Sequence, residues 1–259
     1  MALPSQTLHR EVRGAGPRLV LAHGFTQTGR LWGPFGASLG TRHELVAVDL
    51  PGHGGSANVR CDLAQGGRAL VEAGGDGVFD LLGYSLGARF ALHAALACPE
   101  RIGRLVLVGG TPGVQDPDTR AERRRRDDLM ASELEESGDL EGFLRRWVAS
   151  PMFTRVADPE MGERLRNTPA GLASSLRLAG AGVQEPLWDR LGLLRVPTLL
   201  VAGAADVRFG AIGARMARAM PDAMLTLLPG AGHAAHLEQP ALASKAVLGF
   251  LADRGPRAT

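Results

Sequence analysis

Gly-Tyr-Ser-Leu-Gly, residues 83–87, is the stretch that decides how this sequence is interpreted, because it fits the pattern G-x-S-x-G. An apolar run, Phe79–Leu82, precedes it, and a helix-forming run, Ala88–Ala97, follows it. This order predicts a strand, a sharp turn and a helix, the context in which the central serine acts in catalysis. The flanking glycines permit a strained turn that a Cβ atom would obstruct. The pentapeptide alone is weak evidence for a catalytic serine, because such a pattern arises easily by chance in a chain with 35 glycines. Ser85 would also fit an ordinary tight turn.

Four more apolar runs are predicted to be strands: Leu19–Ala22, Leu45–Asp49, Thr198–Gly203 and Met224–Leu228. Active-site residues of open α/β sheets cluster just beyond the carboxyl ends of their strands. The residues that follow these four runs are therefore the places where functional partners of the serine are expected.

A serine hydroxyl is inert at neutral pH without a base, so Ser85 requires a histidine and an acid. Asp206 follows the third of the four runs and His233 follows the fourth. Each alone would also fit a plainer role, an N-cap or turn aspartate and a surface histidine. The chain order Ser, Asp, His is the one that accompanies G-x-S-x-G, so the sequence predicts a catalytic triad of these three residues.

Two backbone N–H groups are candidates for an oxyanion hole. The first strand runs into His23-Gly24-Phe25, where Gly24 allows a tight turn that directs the N–H of Phe25 towards a substrate oxygen. The N–H of Leu86, directly after the serine, is the second candidate donor.

Taken together, these segments resemble the α/β-hydrolase superfamily, and the resemblance covers essentially the whole chain. It implies an α/β-hydrolase fold with a mostly parallel, eight-stranded-type sheet and helices on both faces. It also implies a helical lid inserted after the sixth strand, here Leu105–Gly109. We therefore expect residues 1–114 and 192–259 to form the core and residues 115–191 to form the lid.

Composition agrees with a single α/β domain and excludes several classes of function. The chain has 259 residues, 45% of them hydrophobic, and a net charge of +2, which argues against a nucleic-acid binder. Two cysteines, Cys61 and Cys98, are too few for a disulfide framework and show no metal-ligand spacing. No apolar run is long enough for a membrane span and the N-terminus lacks a signal-peptide core, so we expect a cytoplasmic protein. We also expect a monomer or homodimer that uses no metal or cofactor.

Arginines distinguish this sequence from a generic member of the superfamily. Arg89 lies one helical turn beyond Ser85, and Arg120–Asp128 is rich in arginine. Each would also fit a solvated helix face. However, three parts of the chain resemble the 2-succinyl-6-hydroxy-2,4-cyclohexadiene-1-carboxylate synthases of menaquinone biosynthesis. They are the turn that carries the serine, Gly-Tyr-Ser-Leu-Gly-Ala-Arg, which we call the elbow, the loop His-Gly-Phe-Thr-Gln-Thr-Gly, and several stretches between residues 120 and 173. One departure is Ala88, where that family commonly has a second glycine.

The resemblance implies a set of substrate-binding residues, comprising the elbow tyrosine and arginine and three lid residues. By motif position these are Tyr84, Arg89, Arg123, Trp147 and Arg166. The assignment of Arg123 stays open, because Arg120 or Arg126 satisfies the same pattern after a shift of one turn. Arginine holds carboxylates bidentately, which suits a small polyanionic substrate.

The reaction implied by the resemblance is an elimination. Ser85, activated by His233, removes a proton from a cyclohexene ring, pyruvate leaves, and no acyl-enzyme forms. Two alternatives remain open on the residues alone: hydrolysis of an ester or a carbon–carbon bond with the same triad, and a catalytically weak module that only binds a ligand. An intact triad counts against the second alternative.

Overall fold

A computed structural model describes residues 7–153 and 160–253. Seven strands form one sheet within these residues: β1 (Arg10–Arg13), β2 (Arg18–Ala22), β3 (Glu44–Val48), β4 (Phe79–Tyr84), β5 (Ile102–Val108), β6 (Thr198–Gly203) and β7 (Ala223–Leu228). The five apolar runs that predicted strands around and beyond the serine all lie in this sheet. Their continuous apolar sequence is typical of strands buried on both faces of a parallel sheet.

The strand order is β1-β3-β2-β4-β5-β6-β7, and only β1 runs antiparallel to its neighbour, β3. The predicted α/β-hydrolase fold is confirmed, with two differences of detail. The described sheet has seven strands rather than eight, because a single antiparallel strand precedes the first parallel one. The run Leu105–Gly109 consequently lies in and just after the fifth strand in chain order, not the sixth.

Ten α-helices accompany the sheet in the described residues: α1 (Gly33–Leu39), α2 (Leu63–Ala73), α3 (Leu86–Ala97), α4 (Pro117–Ser137), α5 (Leu140–Val148), α6 (Met161–Arg164), α7 (Pro169–Ala179), α8 (Val207–Ala219), α9 (Ala235–Glu238) and α10 (Pro240–Ala252). Helices α2, α3 and α8 pack on one face, where Leu70, Phe90 and Met216 join the apolar side chains of the strands. Helices α1 and α10 cover the other face through Phe35 and Val247.

Helices α4 to α7 form the insertion between β5 and β6. They have an apolar cluster of their own, to which Leu134, Leu144 and Leu176 contribute from three different helices. This cluster is separate from the two clusters that line the sheet, so the insertion packs as a layer in its own right. The carboxyl ends of the parallel strands and this layer together surround the segment that carries Ser85.

The turn between β4 and α3 is strained, as its sequence predicts. Ser85 has a φ of 52°, in the left-handed region that non-glycine residues rarely adopt. A Cβ atom on Gly87 would collide with the backbone carbonyl of Ala22 in β2, and one on Gly83 would collide with Gly87. The two glycines are therefore required by close backbone approach, and they allow α3 to begin directly after the serine.

Within residues 7–153 and 160–253, no helix is both long enough and apolar enough to cross a membrane.

Candidate active site

Three loops at the carboxyl ends of β4, β6 and β7 bring the predicted triad together. His233 Nε2 lies 3.0 Å from Ser85 Oγ, and His233 Nδ1 lies 2.9 Å from Asp206 Oδ2. Both distances are within hydrogen-bond range. His233 is buried, and Ser85 is half-buried at the start of α3. The arrangement can pass a proton from the serine hydroxyl to the imidazole while the carboxylate holds the ring.

Asp206 has two structural tasks at once. Its Oδ1 accepts a hydrogen bond from the N–H of Phe209, so it caps α8, while its Oδ2 faces His233. Burial alone would raise the pKa of Asp206, but the hydrogen bonds from His233 and Phe209 outweigh it and hold that pKa below its usual value. The carboxylate is therefore ionised at neutral pH.

Glu238 holds the loop that carries His233, a role that sequence reasoning missed. Its carboxylate accepts hydrogen bonds from the N–H groups of Gly232, at 2.6 Å, and Ala234, at 3.0 Å. These two residues flank the histidine on either side. One side chain from α9 thus restricts the backbone on both sides of the imidazole.

The loop with the predicted oxyanion donor Phe25 is held by two buried histidines. His23 Nε2 accepts from the N–H of Leu50, at 3.0 Å, and His53 Nε2 accepts from the N–H of Thr26, at 3.3 Å. Burial lowers the pKa of His23 to about 4 and that of His53 to about 3, so both rings are neutral and can accept. The N–H of the other donor, Leu86, lies in the first turn of α3.

Aromatic rings connect the insertion to the triad. Trp147 lies 5.0 Å from the ring of Phe25 and 5.9 Å from the ring of Phe153, measured between ring centroids. Phe153 in turn lies 6.3 Å from the His233 ring. Trp147 Nε1 is buried without a hydrogen-bond partner among the described residues. The predicted tryptophan therefore contacts the oxyanion loop, and Phe153 extends the same apolar wall to the triad.

Arg89 is buried and turns towards the insertion. Its Nη1 donates a 2.6 Å hydrogen bond to the carbonyl of Ala179, at the end of α7. Burial, and secondly the nearby charge of Arg123, lowers the pKa of Arg89 to about 10, although Asp127 partly offsets this. Across the described chain, no carboxylate lies within ion-pair distance of Arg89.

The structure gives the three candidate lid arginines, Arg120, Arg123 and Arg126, different surroundings. Arg123 pairs with the buried Asp127 at 2.8 Å and is the one whose charge reaches Arg89. Arg126 is largely exposed and pairs with Glu122. Arg120 faces Glu185, whose side chain lies mostly in solvent. Arg123 is therefore the lid arginine that lies towards the elbow helix.

The predicted second lid arginine, Arg166, lies in a different environment from its neighbour Arg164. Arg166 is half exposed and pairs with Glu163 at 3.2 Å. Arg164, two residues earlier, is buried, donates from Nη1 to Thr26 Oγ1 at 2.5 Å, and lies near Tyr84. Arg164 is the last residue of α6 and Arg166 lies beyond it; of the two side chains, Arg164 is buried and Arg166 is exposed.

Tyr84 is buried, and its hydroxyl has no hydrogen-bond partner among the described residues. Burial raises the pKa of this hydroxyl, although Arg164 works against the rise. The ring lies 5.6 Å from that of His233 and 4.4 Å from that of His236. A buried hydroxyl without a partner beside an arginine and the triad is suited to meet a polar group of a ligand.

A surface groove of the described residues lies elsewhere. It has a volume of about 540 Å³, runs between β7 and α10, and is lined by apolar side chains such as Met224 and Leu242. None of the triad residues lines it, so we assign it no catalytic part.

Comparison with known proteins agrees with this geometry. Residues 19–246 match the model of the alpha/beta hydrolase family. A relative from Bacillus subtilis (strain 168) is 34% identical over 92% of this chain and 91% of its own length. The 2-succinyl-6-hydroxy-2,4-cyclohexadiene-1-carboxylate synthase of Escherichia coli O1:K1 is 34% identical over 87% of this chain and 90% of its own length.

Among solved structures, that of MenH from S. aureus superposes with a TM-score of 0.86 at 30% sequence identity. The match covers 94% of this chain and 97% of that one.

Proposed function

This chain belongs to the alpha/beta hydrolase family and, within it, to the 2-succinyl-6-hydroxy-2,4-cyclohexadiene-1-carboxylate synthases, and from that premise we propose its reaction. It is a lyase of menaquinone biosynthesis that eliminates pyruvate from 2-succinyl-5-enolpyruvyl-6-hydroxy-3-cyclohexene-1-carboxylate. Cys61 and Cys98 form no disulfide within the described residues, which fits work in the cytoplasm. We further infer that the chain acts as a monomer or homodimer.

Arg89 carries the proposal, because a buried arginine without an ion-pair partner needs an anion. Taking a guanidinium out of water costs several kcal/mol, roughly, unless an opposite charge compensates it. A hydrolase for neutral esters gains nothing from such a group one turn beyond its serine. A substrate with several carboxylates supplies the missing negative charge. Arg123 lies near Arg89 and can bind a second carboxylate of the same substrate.

The other substrate-binding residues follow from the same logic. We assign Tyr84, Trp147 and Arg164 to the substrate, since each combines burial with a polar group near the triad or the oxyanion loop. Arg164 replaces Arg166 in this assignment. Residues 115–191 serve as the lid that supplies Arg123, Trp147 and Arg164 and keeps water from the ring.

In the proposed mechanism Ser85 is a general base. His233 Nε2 accepts the hydroxyl proton as Ser85 Oγ removes a proton from the substrate ring, and the ionised Asp206 stabilises the imidazolium that forms. The electrons of the broken C–H bond shift through the ring, and the bond between the ring carbon and the ether oxygen breaks. The enolate of pyruvate leaves and becomes pyruvate by taking up one proton, which regenerates neutral His233. Negative charge that develops on a substrate oxygen is met by the N–H groups of Phe25 and Leu86.

The test is to supply the enzymatically made intermediate and measure pyruvate with lactate dehydrogenase and NADH. The purified chain should release one pyruvate per substrate consumed, and a Ser85→Ala variant prepared in parallel should release pyruvate only at the uncatalysed rate. Absence of pyruvate with the wild-type chain would refute the proposed reaction.

Running the same reaction in oxygen-18 water separates elimination from hydrolysis. Elimination places no solvent oxygen in either product, once exchange at the ketone of pyruvate is corrected for, whereas hydrolysis must place one. Label in a newly formed carboxylate, seen by mass spectrometry, would favour the hydrolase alternative.

A further inference from the structure

Thr26, directly after the proposed oxyanion donor Phe25, has a backbone conformation that its side chain disfavours. Its φ is 67°, in the left-handed region, and threonine is branched at Cβ. Branched residues are genuine outliers there, and such outliers persist only where the surroundings impose them. The peptide unit between the two residues holds the Phe25 carbonyl and the Thr26 N–H, which donates to His53. Fixing Thr26 therefore restricts the backbone rotations of Phe25, whose own N–H is the proposed donor.

Each polar group of Thr26 has its own hydrogen-bond partner. Its N–H donates to His53 Nε2 at 3.3 Å, and its Oγ1 accepts from Arg164 Nη1 at 2.5 Å. Its carbonyl accepts from Asn167 Nδ2 at 2.9 Å. Two of these three contacts come from the insertion, across more than a hundred positions of sequence.

Asn167 joins three segments at one point. Besides the carbonyl of Thr26, its Nδ2 donates to the carbonyl of Arg164 at 2.8 Å, and its Oδ1 accepts from the N–H of Gly54 at 3.1 Å. The side chain is buried. It therefore ties the oxyanion loop, the loop that carries His53, and the segment between α6 and α7 into one unit.

We propose that Asn167 is a positioning residue for the elimination, acting on the oxyanion hole by holding Thr26 in its left-handed conformation. This rests on the proposed function for the identity of the reaction, but the contact itself does not depend on it. The consequence is that the donor of Phe25 is aligned only while the segment around Asn167 is docked on the loop. Docking of the lid and completion of the oxyanion hole are then one event.

The first experiment compares kcat and KM for Asn167→Ala, Asn167→Asp and Ser175→Ala. Oxyanion donors act mainly on the transition state, so both Asn167 variants should lower kcat by about 30-fold and change KM by less than about 2-fold. Asn167→Asp retains the acceptor for Gly54, removes the donor and places a carboxylate against the carbonyls of Thr26 and Arg164. Ser175→Ala removes another buried lid side-chain group, one without a hydrogen-bond partner among the described residues, and should leave both constants unchanged.

The second experiment tests the route through Thr26. Glycine adopts positive φ without strain, so in a Thr26→Gly background Asn167→Ala should cost only about 3-fold in kcat. If Asn167 contacted the substrate directly or merely stabilised the lid, its loss would cost the same in both backgrounds. Equal losses would overturn the proposal.

Hydrogen exchange gives a readout that does not depend on the reaction. Peptides spanning residues 23–29 should exchange faster in Asn167→Ala and Asn167→Asp than in wild type or Ser175→Ala. If wild type releases no pyruvate but this difference is seen, the proposed function fails and the positioning contact stands. If folded Asn167 variants show wild-type exchange in residues 23–29, or wild-type kcat, the positioning role is refuted. Should Asn167→Ala not fold, Asn167→Asp decides by the same criteria.

Discussion

The chemistry of the triad depends on which nitrogen of His233 carries the proton. Asp206 Oδ2 lies 2.9 Å from Nδ1 and has no proton to give, so Nδ1 donates and Nε2 is left to accept from Ser85 Oγ. The lowered pKa of Asp206 preserves this arrangement at neutral pH. The acid thus selects the tautomer that the serine needs.

A shared proton makes Ser85 and His233 act as one unit. Ser85→Ala and His233→Ala should each lower kcat by about 10³-fold or more, and the double variant should be little worse than either single variant. Steady-state pyruvate release measures all three. Losses that multiply would show that the two residues do not share a proton-transfer step.

Arg164 and Arg166 form a matched pair of variants. Arg164→Ala should lower kcat/KM for the polyanionic substrate by a factor equivalent to about 2 to 4 kcal/mol, because a buried fork for a carboxylate is lost. Arg166→Ala, at a half-exposed ion pair, should change it by less than about 0.5 kcal/mol. The reverse ranking of the two variants would restore Arg166 to the substrate site.

Arg89 should contribute strongly to turnover and little to stability. Replacing it by methionine, of similar length, removes a buried charge but leaves the carbonyl of Ala179 without its donor. We expect the free energy of unfolding to change by no more than about 1 kcal/mol in urea titrations, because the two effects oppose each other. Pyruvate release should fall at least tenfold, roughly, from the loss of a charge-assisted contact. A large loss of stability would indicate a structural arginine.

At the scale of the secondary-structure elements, the site depends on how closely α3 approaches β2. The Cβ atom that Gly87→Ala introduces would collide with the carbonyl of Ala22, and neither backbone segment can move without disturbing the sheet. The elements that present Ser85 are therefore held by contact between backbones as well as by the packing of α3 side chains such as Phe90.

Gly87→Ala should therefore destabilise the chain by at least about 3 kcal/mol or prevent folding, as measured by thermal and urea unfolding. Gly249→Ala in α10 is the matched control, because a Cβ atom there meets nothing within 4 Å. This control should raise stability by about 0.5 to 1 kcal/mol, the usual gain of alanine over glycine in a helix. Similar behaviour of the two variants would contradict the close approach at the elbow.

At the scale of the whole molecule, buried histidines make stability depend on pH. Burial lowers the pKa of His23 and His93 to about 4 and that of His53 and His236 to about 3. Unfolded histidine has a pKa of about 6.5, so below that pH the unfolded chain binds more protons than the folded one. Their contribution is complete above pH 6.5 and is lost as the pH falls from there towards 3 to 4.

His236 isolates one part of this effect, since it is fully buried and neither ring nitrogen has a hydrogen-bond partner among the described residues. Wild-type stability should fall between pH 6 and pH 5 by up to about 1.4 kcal/mol for each such histidine. In the variant His236→Phe, the free energy of unfolding should change less steeply with pH, by an amount that corresponds to about one proton. Urea unfolding at several pH values measures this slope. Identical slopes would mean that His236 is protonated in the folded chain.

The sequence by itself was enough for the class of fold, and it predicts the triad whose side chains the structure brings within hydrogen-bond distance. Apolar runs of strand length, glycines at 83 and 87, and the order of Ser85, Asp206 and His233 are local patterns, and each is imposed by the backbone or by the chemistry of one segment. They predict the sheet, the elbow and the family without any knowledge of how distant segments meet.

Only the tertiary structure decided which lid residues turn inward. Arg164 and Arg166 are two positions apart and chemically identical, so the difference arises from where α6 ends and how the insertion docks on the loop at Thr26. The contacts of Asn167 and Glu238 are likewise invisible in the sequence. A side chain's direction and its distant partners are properties of packing, and packing depends on the whole chain at once.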